Sequence, residues 1–305
     1  MRLTPNTKVL ICGIAEPLAI AHVPLMRDYG TQVLAGVSPG EGGRSINEIP
    51  VFDLVEEAIA TVGPIDVVIV FSPAYAAVDA ALEAIAAGIR QVVMVSAGVP
   101  PLDMVRLVRR AEATDTLVLG PNCPGIIVPG QVLLGMHPAE CYQPGSIGIV
   151  SRCSTLAYEV ALQLTRAGFG QSIAACIGAD RVVGSSLLQW LQMLDEDDRT
   201  EAIVLIGEVS GDGELRAARY IAETIDKPVI AYIAGHFAPV NRSIGHANQI
   251  VASRTELGKR GKTDVATKVA ALKAAKVRVA DRPSKIPELL QRALNTKAKA
   301  PSAKS

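Results

Sequence analysis

Lys8-Val9-Leu10-Ile11-Cys12 runs straight into Gly13. After the lysine the run is apolar without alternation. A strand with one wet face alternates, whereas a strand covered on both faces reads as a continuous apolar stretch. The same signature returns at Val33 to Val37, closing in Ser38-Pro39-Gly40, and at Asp66 to Phe71, closing in Ser72-Pro73. It returns again at Gln91 to Val95, before Ser96-Ala97-Gly98, and at Thr116 to Leu119, before Gly120-Pro121-Asn122. Ala-rich stretches of helical period, such as Ala76 to Ala87 and Leu102 to Ala113, lie between these runs. Repeated strand–helix units of this kind predict an α/β protein with a parallel sheet. Ligands of such sheets bind at the carboxyl ends of the strands, where this chain places small residues.

The pattern resumes in the second half. Ser146 to Val150, Ser172 to Ile177, Ala202 to Ile206, Pro228 to Ala234 and Gln249 to Ala252 read as strands. Tyr158 to Ala167, Ser185 to Leu194, Glu214 to Glu223 and Ser284 to Ala293 read as helices. Val128 to Gly145, with a Pro-Gly pair near each end, reads as the join between two domains. Glu256 to Asp264 is polar and basic and reads as a mobile loop, and Thr296 to Ser305 as a disordered tail.

Composition narrows the function. With 30 Lys plus Arg against 30 Asp plus Glu, no net charge steers the chain to nucleic acid or to an anionic membrane. Aromatics are 4 %, too few for a base-stacking platform. No segment has the apolar length of a membrane span, and the first residues lack a signal-peptide core. The five cysteines show neither metal-ligand spacing nor a disulfide framework, so a reducing cytoplasm is expected and no metal site.

Three local features carry chemistry. His246, in Ser243-Ile244-Gly245-His246-Ala247, has small neighbours that leave an imidazole open to approach. Glu208, just after the apolar run Ala202 to Ile206, can hold one ring nitrogen and leave the other as a nucleophile. A lone histidine is by itself more often a core or solvated residue, so this pair needs context. Ser151-Arg152-Cys153-Ser154-Thr155 follows a strand and opens a helix. Its N–H groups and hydroxyls form an anion site; a simple N-cap would explain one hydroxyl but not the cluster. Cys153 invites a nucleophile reading, but with no histidine paired to it in sequence it reads as a spectator thiol. A dinucleotide fingerprint is not present, since Gly13-Ile14-Ala15-Glu16-Pro17-Leu18-Ala19 lacks the later glycines and the second strand ends in Ser38-Pro39 rather than an acid.

Taken in order, Pro39-Gly40-Glu41-Gly42-Gly43, Ile49-Pro50-Val51-Phe52, Gly120-Pro121-Asn122-Cys123-Pro124-Gly125, Gly148-Ile149-Val150-Ser151-Arg152, Thr155-Leu156-Ala157-Tyr158-Glu159, Gly207-Glu208 and Gly245-His246-Ala247 resemble the alpha subunit of succinate–CoA ligase. The resemblance runs from about Asn6 to Leu294. It implies a Rossmann-like CoA-binding domain over 1–126, followed over 127–295 by a flavodoxin-like domain with a doubly wound parallel sheet. It implies succinyl-CoA formation from succinate and CoA through a phosphohistidine, with Mg-nucleotide bound mainly by an ATP-grasp beta subunit. Under it His246 is phosphorylated, Glu208 orients it, Ser151, Cys153, Ser154 and Thr155 stabilise the phosphoryl group, and Tyr158 contacts substrate. Pro39, Val95, Ser96, Ala97 and Asn122 fall at CoA-binding positions.

The chain departs from the family mostly on the CoA side. The family's first loop, Gly-x-Thr-Gly-x-x-Gly, is here Gly13 to Ala19 with Glu16 and Pro17. Its Lys in Pro-Gly-Lys-Gly-Gly is Glu41, and a Glu is replaced by Ala97. Three readings stay open: a divergent ligase that holds CoA by other contacts, a non-catalytic CoA-binding or scaffolding paralogue, and a ligase for another dicarboxylate such as malate or citrate.

Overall fold

The computed structural model describes residues 3–209, 211–235 and 265–299. His246, the strand expected at Gln249 to Ala252 and the loop expected at Glu256 to Asp264 lie outside the described residues. By internal contacts the chain divides into two compact units. One is Met1–Ala139 with Ala175–Ser186, and the other Glu140–Ala174 with Leu187–Ser305.

In the first unit, β1 (Lys8–Cys12), β2 (Gln32–Val37), the short β3 (Ser45–Ile46), β4 (Ile49–Phe52), β5 (Val67–Val70), β6 (Gln91–Met94) and β7 (Leu117–Leu119) form a seven-stranded sheet. Its order is β3-β4-β2-β1-β5-β6-β7, parallel throughout except for the β3–β4 pair. Counting only the parallel strands in chain order, that is 3-2-1-4-5-6, the Rossmann order, with its switch point between β1 and β5. Four helices connect these strands: α1 (Pro17–Asp28), α2 (Val55–Val62), α3 (Ala77–Ala86) and α4 (Pro101–Ala113). All four residues of β5 are buried, as the unbroken apolar run predicts for a strand covered on both faces.

A second seven-stranded sheet is built from β8 (Gly125–Val128), β9 (Val132–Gly135), β10 (Pro144–Ser151), β11 (Gln171–Cys176), β12 (Ala202–Gly207), β13 (Val229–Ile233) and β14 (Arg278–Ala280). The run β11-β10-β12-β13-β14 is the flavodoxin order 2-1-3-4-5, with its switch point between β10 and β12. Parallel pairing sets Ser151 beside Ile206 at the carboxyl end of that switch point. Helices α5 (Ser154–Arg166), α6 (Leu187–Glu196), α7 (Gly213–Thr224), α8 (Val265–Ala274) and α9 (Ile286–Lys299) complete the fold.

The stretch from Val128 to Gly145 holds the division between the two units, at Ala139/Glu140, and also a hairpin that the sequence pattern does not announce: β8 and β9 pair antiparallel, and both are buried throughout. Pro129-Gly130 is the turn of that hairpin, with Gly130 at φ +74° and its N–H donated to Tyr29 Oη at 2.8 Å. Thr296 to Lys299, expected in a disordered tail, are instead helical. Helix α9 continues to Lys299, carried by an Arg292–Glu288 ion pair at i,i+4 and by the Thr296 hydroxyl donating to the Arg292 carbonyl at 2.7 Å. Among the described residues no helix is long and apolar enough to cross a membrane.

Candidate active site

The carboxyl ends of β10 and β12 bring together residues more than fifty positions apart. Ser151, fully buried, ends β10; its hydroxyl donates to the Cys153 carbonyl at 2.8 Å and accepts the Cys153 N–H at 3.0 Å. This small ring turns the chain from strand into α5, for which Cys153 is the N-cap, in extended conformation and with no side-chain cap. The first-turn N–H groups of α5, Ser154 and Thr155 among them, therefore have no side-chain oxygen from the N-cap. They sit at the positive end of a helix dipole and suit an oxyanion. Ser154 is partly exposed and Thr155 exposed; Tyr158, one turn on, is half-buried.

Across the switch point, the Arg152 N–H donates to the Ile206 carbonyl at 3.0 Å, locking the turn to β12. Glu208 follows two residues later. Arg152 Nε donates to its Oε1 at 2.9 Å, with both side chains about one-tenth exposed. Tyr232, on β13, borders the same region. Burial pushes its phenol up, and the nearby Cys153 adds to the effect.

The first unit places its candidates at the carboxyl edge of its own sheet. Gly13 has φ +76°, and a Cβ there would fall 2.6 Å from the Ser72 nitrogen, so the β1 and β5 loops meet at the switch point with room only for glycine. Pro39 and Ala97 are exposed, Val95 is buried and Ser96 is half-buried, its hydroxyl donating to the Ser72 carbonyl at 2.6 Å. Asn122, at φ +55°, donates its N–H to the Ser96 carbonyl at 2.9 Å and its amide to Asp180 Oδ1 at 3.0 Å. The Pro39–Gly43 loop wraps a carboxylate of this chain: Asp53 Oδ1 accepts the N–H groups of Gly40 at 2.7 Å and Gly42 at 3.0 Å. Glu41 is paired with Arg44.

Residues 4–98 match the CoA binding domain family, and residues 150–278 match the CoA-ligase family. The chain is 39 % identical over 285 residues to the succinate–CoA ligase [ADP-forming] subunit alpha 2 of Archaeoglobus fulgidus, covering 93 % of this chain and 96 % of that one. It is 42 % identical over 291 residues to the corresponding alpha subunit of Aquifex aeolicus, covering 95 % and 93 %. The chain belongs to the succinate–CoA ligase alpha-subunit family. Among solved structures, ATP citrate lyase from Methanosaeta concilii superposes with a TM-score of 0.86 at 20 % identity. That match covers all of this chain and 53 % of the lyase, so the chain spans about half the length of the lyase. At that identity the likeness speaks for the shared fold.

The two matched families put a CoA-binding domain in the first half of the chain and a CoA-ligase domain in the second. Of the expected phosphate-side residues, Ser151, Cys153, Ser154, Thr155 and Glu208 converge on one switch point, with Tyr158 one turn along α5; His246 lies outside the described residues. Arg152, quoted in the resemblance but given no role, proves to be the partner of Glu208. The signal for it was the strand order, because residues that follow strands 1 and 3 of a 2-1-3-4-5 sheet are neighbours.

Proposed function

We propose that this chain is the alpha subunit of a succinate–CoA ligase that works with an ATP-grasp beta subunit, which supplies the Mg-nucleotide. A free carboxylate is a poor acyl donor because its leaving group would be oxide. Phosphorylation replaces that leaving group with phosphate, which the CoA thiol then displaces as the thioester forms. In this reading His246 carries the phosphoryl group from nucleotide to acid. Its imidazole serves both as a nucleophile and as a leaving group near neutral pH. Glu208 holds the ring, while the open N–H groups at the start of α5 bear the phosphoryl charge. The domain split proposed is 1–126 for CoA and 127–295 for the phosphohistidine, with Pro39, Val95, Ser96, Ala97 and Asn122 facing CoA and Tyr158 facing the acid.

The observation that carries the reading is the convergence of Glu208 and the uncapped α5 N-terminus on the switch point between β10 and β12. The test is co-purification with the beta subunit, followed by incubation with γ-labelled ATP and Mg²⁺. The expected product is an acid-labile label on this chain, discharged by succinate plus CoA and lost in His246→Asn. Malate and citrate in place of succinate identify the acid.

A scaffolding paralogue that has lost CoA chemistry is the competing reading, favoured by Glu41 on the Pro39–Gly43 loop and by the commitment of the Gly40 and Gly42 N–H groups to Asp53. A complex that takes up no label and binds no CoA in calorimetry would establish it.

A further inference from the structure

Two fully buried charges stand behind Glu208. Glu214, in the first turn of α7, and Lys268, on α8, are each 0 % exposed, and Lys268 Nζ lies 2.7 Å from Glu214 Oε2. Both also reach the Glu208 backbone. Glu214 Oε1 accepts the Glu208 N–H at 3.0 Å, and Lys268 Nζ donates to the Glu208 carbonyl at 2.7 Å. The peptide groups on either side of the Glu208 α-carbon are thus gripped by two side chains that are themselves tied by an ion pair. Gly207 makes room for the grip, since a Cβ there would lie 2.7 Å from Glu214 Cγ. Its carbonyl, in the same peptide group as the Glu208 N–H, accepts the Ala234 N–H at 3.0 Å, which ties that peptide to the residue after β13.

Stability alone is a weak reason for this arrangement. A buried ion pair is often no better than well-packed apolar side chains of the same volume, because desolvation offsets the attraction. Each charge nevertheless occupies a core position of its helix. Glu214 shares the buried face of α7 with Ala217, Ala218 and Ile221, and Lys268 shares that of α8 with Val265 and Leu272. What the pair achieves is geometric: with N–H and carbonyl both held, the backbone torsions of Glu208 are set, and its side chain leaves the strand end in one direction, toward Arg152.

We propose that Lys268 and Glu214 are positioning residues, a clamp that aims the Glu208 carboxylate for phosphoryl transfer. This rests on the proposed role of Glu208, so the test separates the two. The complex with the beta subunit is made as wild type, as Lys268→Met/Glu214→Leu, which removes both grips but leaves no lone charge, and as Lys268→Gln/Glu214→Gln, which keeps a donor and an acceptor without charge. Single-turnover labelling, CoA affinity and thermal melting are measured on each. The Met/Leu variant is expected to label about 10- to 100-fold more slowly with CoA affinity unchanged, the size of loss a misaimed group causes. The Gln/Gln variant is expected to recover most of that rate even where its melting temperature is no higher than that of the Met/Leu variant. A purely structural pair predicts instead that rate follows melting temperature across the set, and a folded Met/Leu variant labelling at the wild-type rate overturns the proposal. Hydrogen exchange at the Glu208 amide of the wild-type complex gives a readout independent of catalysis and of variant folding. Slow exchange, matching the buried β12 strand, is expected, and loop-like exchange overturns the clamp. Absence of label in the wild type, by contrast, counts against the phosphohistidine reading itself.

Discussion

Arg152 Nε donates to Glu208 Oε1 at 2.9 Å, joining the residue that opens the β10–α5 turn to the residue that follows β12. The pair is nearly buried, so Arg152→Met removes a charge-assisted hydrogen bond that solvent replaces poorly. It is expected to cost about 2 kcal/mol of stability, measured by urea denaturation. Arg152→Lys keeps the charge but not the planar fork that meets a carboxylate, or an arriving phosphoryl group, with directed N–H bonds. It is expected to fold and to form the proposed phosphohistidine about tenfold more slowly. Wild-type labelling in Arg152→Lys would show that charge alone suffices.

Gly13 sets a second expectation. Its φ of +76° is left-handed, and its α-carbon faces the Ser72 backbone. Alanine at this position adds left-handed strain to a backbone clash that no rotamer relieves, a combined cost of about 3 kcal/mol. Because the residue lies at the switch point of the domain that matches the CoA-binding family, Gly13→Ala should also weaken CoA binding in calorimetry. Unchanged CoA affinity in folded Gly13→Ala would place CoA away from this loop.

What the sequence revealed of all this follows its burial. Strands covered on both faces announce themselves: β1 spans Lys8–Cys12 as read, and β12 extends the expected run only by Gly207. The β8–β9 hairpin was hidden because Pro129-Gly130 is equally at home in a linker and in a turn. Helix α1 carries Pro17 and Pro24, which blur its period, yet Pro17 occupies the first helical position, where its missing N–H costs nothing. The Arg152–Glu208 pair has no signature along the chain and emerges only from the strand order. The buried lysine and glutamate were closer to the surface of the text: a charge at i+3 between Val265 and Leu272, or leading Ala217, Ala218 and Ile221, breaks an apolar stripe that otherwise faces inward.

His137 supplies a pH prediction. It is buried, its Nε2 lies 3.0 Å from the Gly125 carbonyl, and burial pushes its pKa from 6.5 down to about 4, the hydrogen bond opposing the shift. Above pH 6.5 the ring is neutral in both folded and unfolded chains and contributes no pH dependence. As the pH falls below 6.5 the unfolded chain takes up a proton that the folded one refuses, and stability is lost until about pH 4, where the folded ring also protonates. The full loss is about 3 kcal/mol. Urea midpoints measured between pH 7 and pH 4 should show it as a slope that shrinks in His137→Gln; an unchanged slope would assign the acid sensitivity to other groups.

The thiols sort by the same logic. Burial raises the pKa of Cys12 and pushes that of Cys123 up to about 12, while Cys176 is also buried. Cys141 and Cys153 are only partly buried, so iodoacetamide should reach these two first, as peptide mass spectrometry can establish. Only Cys153 stands at the N-cap of α5, with its sulfur 3.5 Å from the Thr155 hydroxyl. An acetamide group there projects over the open N–H groups that the proposed phosphoryl site uses. Alkylation of Cys153 is therefore expected to abolish labelling of the complex by ATP, whereas Cys153→Ser, which leaves the cap small and polar, should label normally and resist the inhibitor. If full modification of Cys153 left labelling intact, the phosphoryl group would have to be held somewhere other than the start of α5.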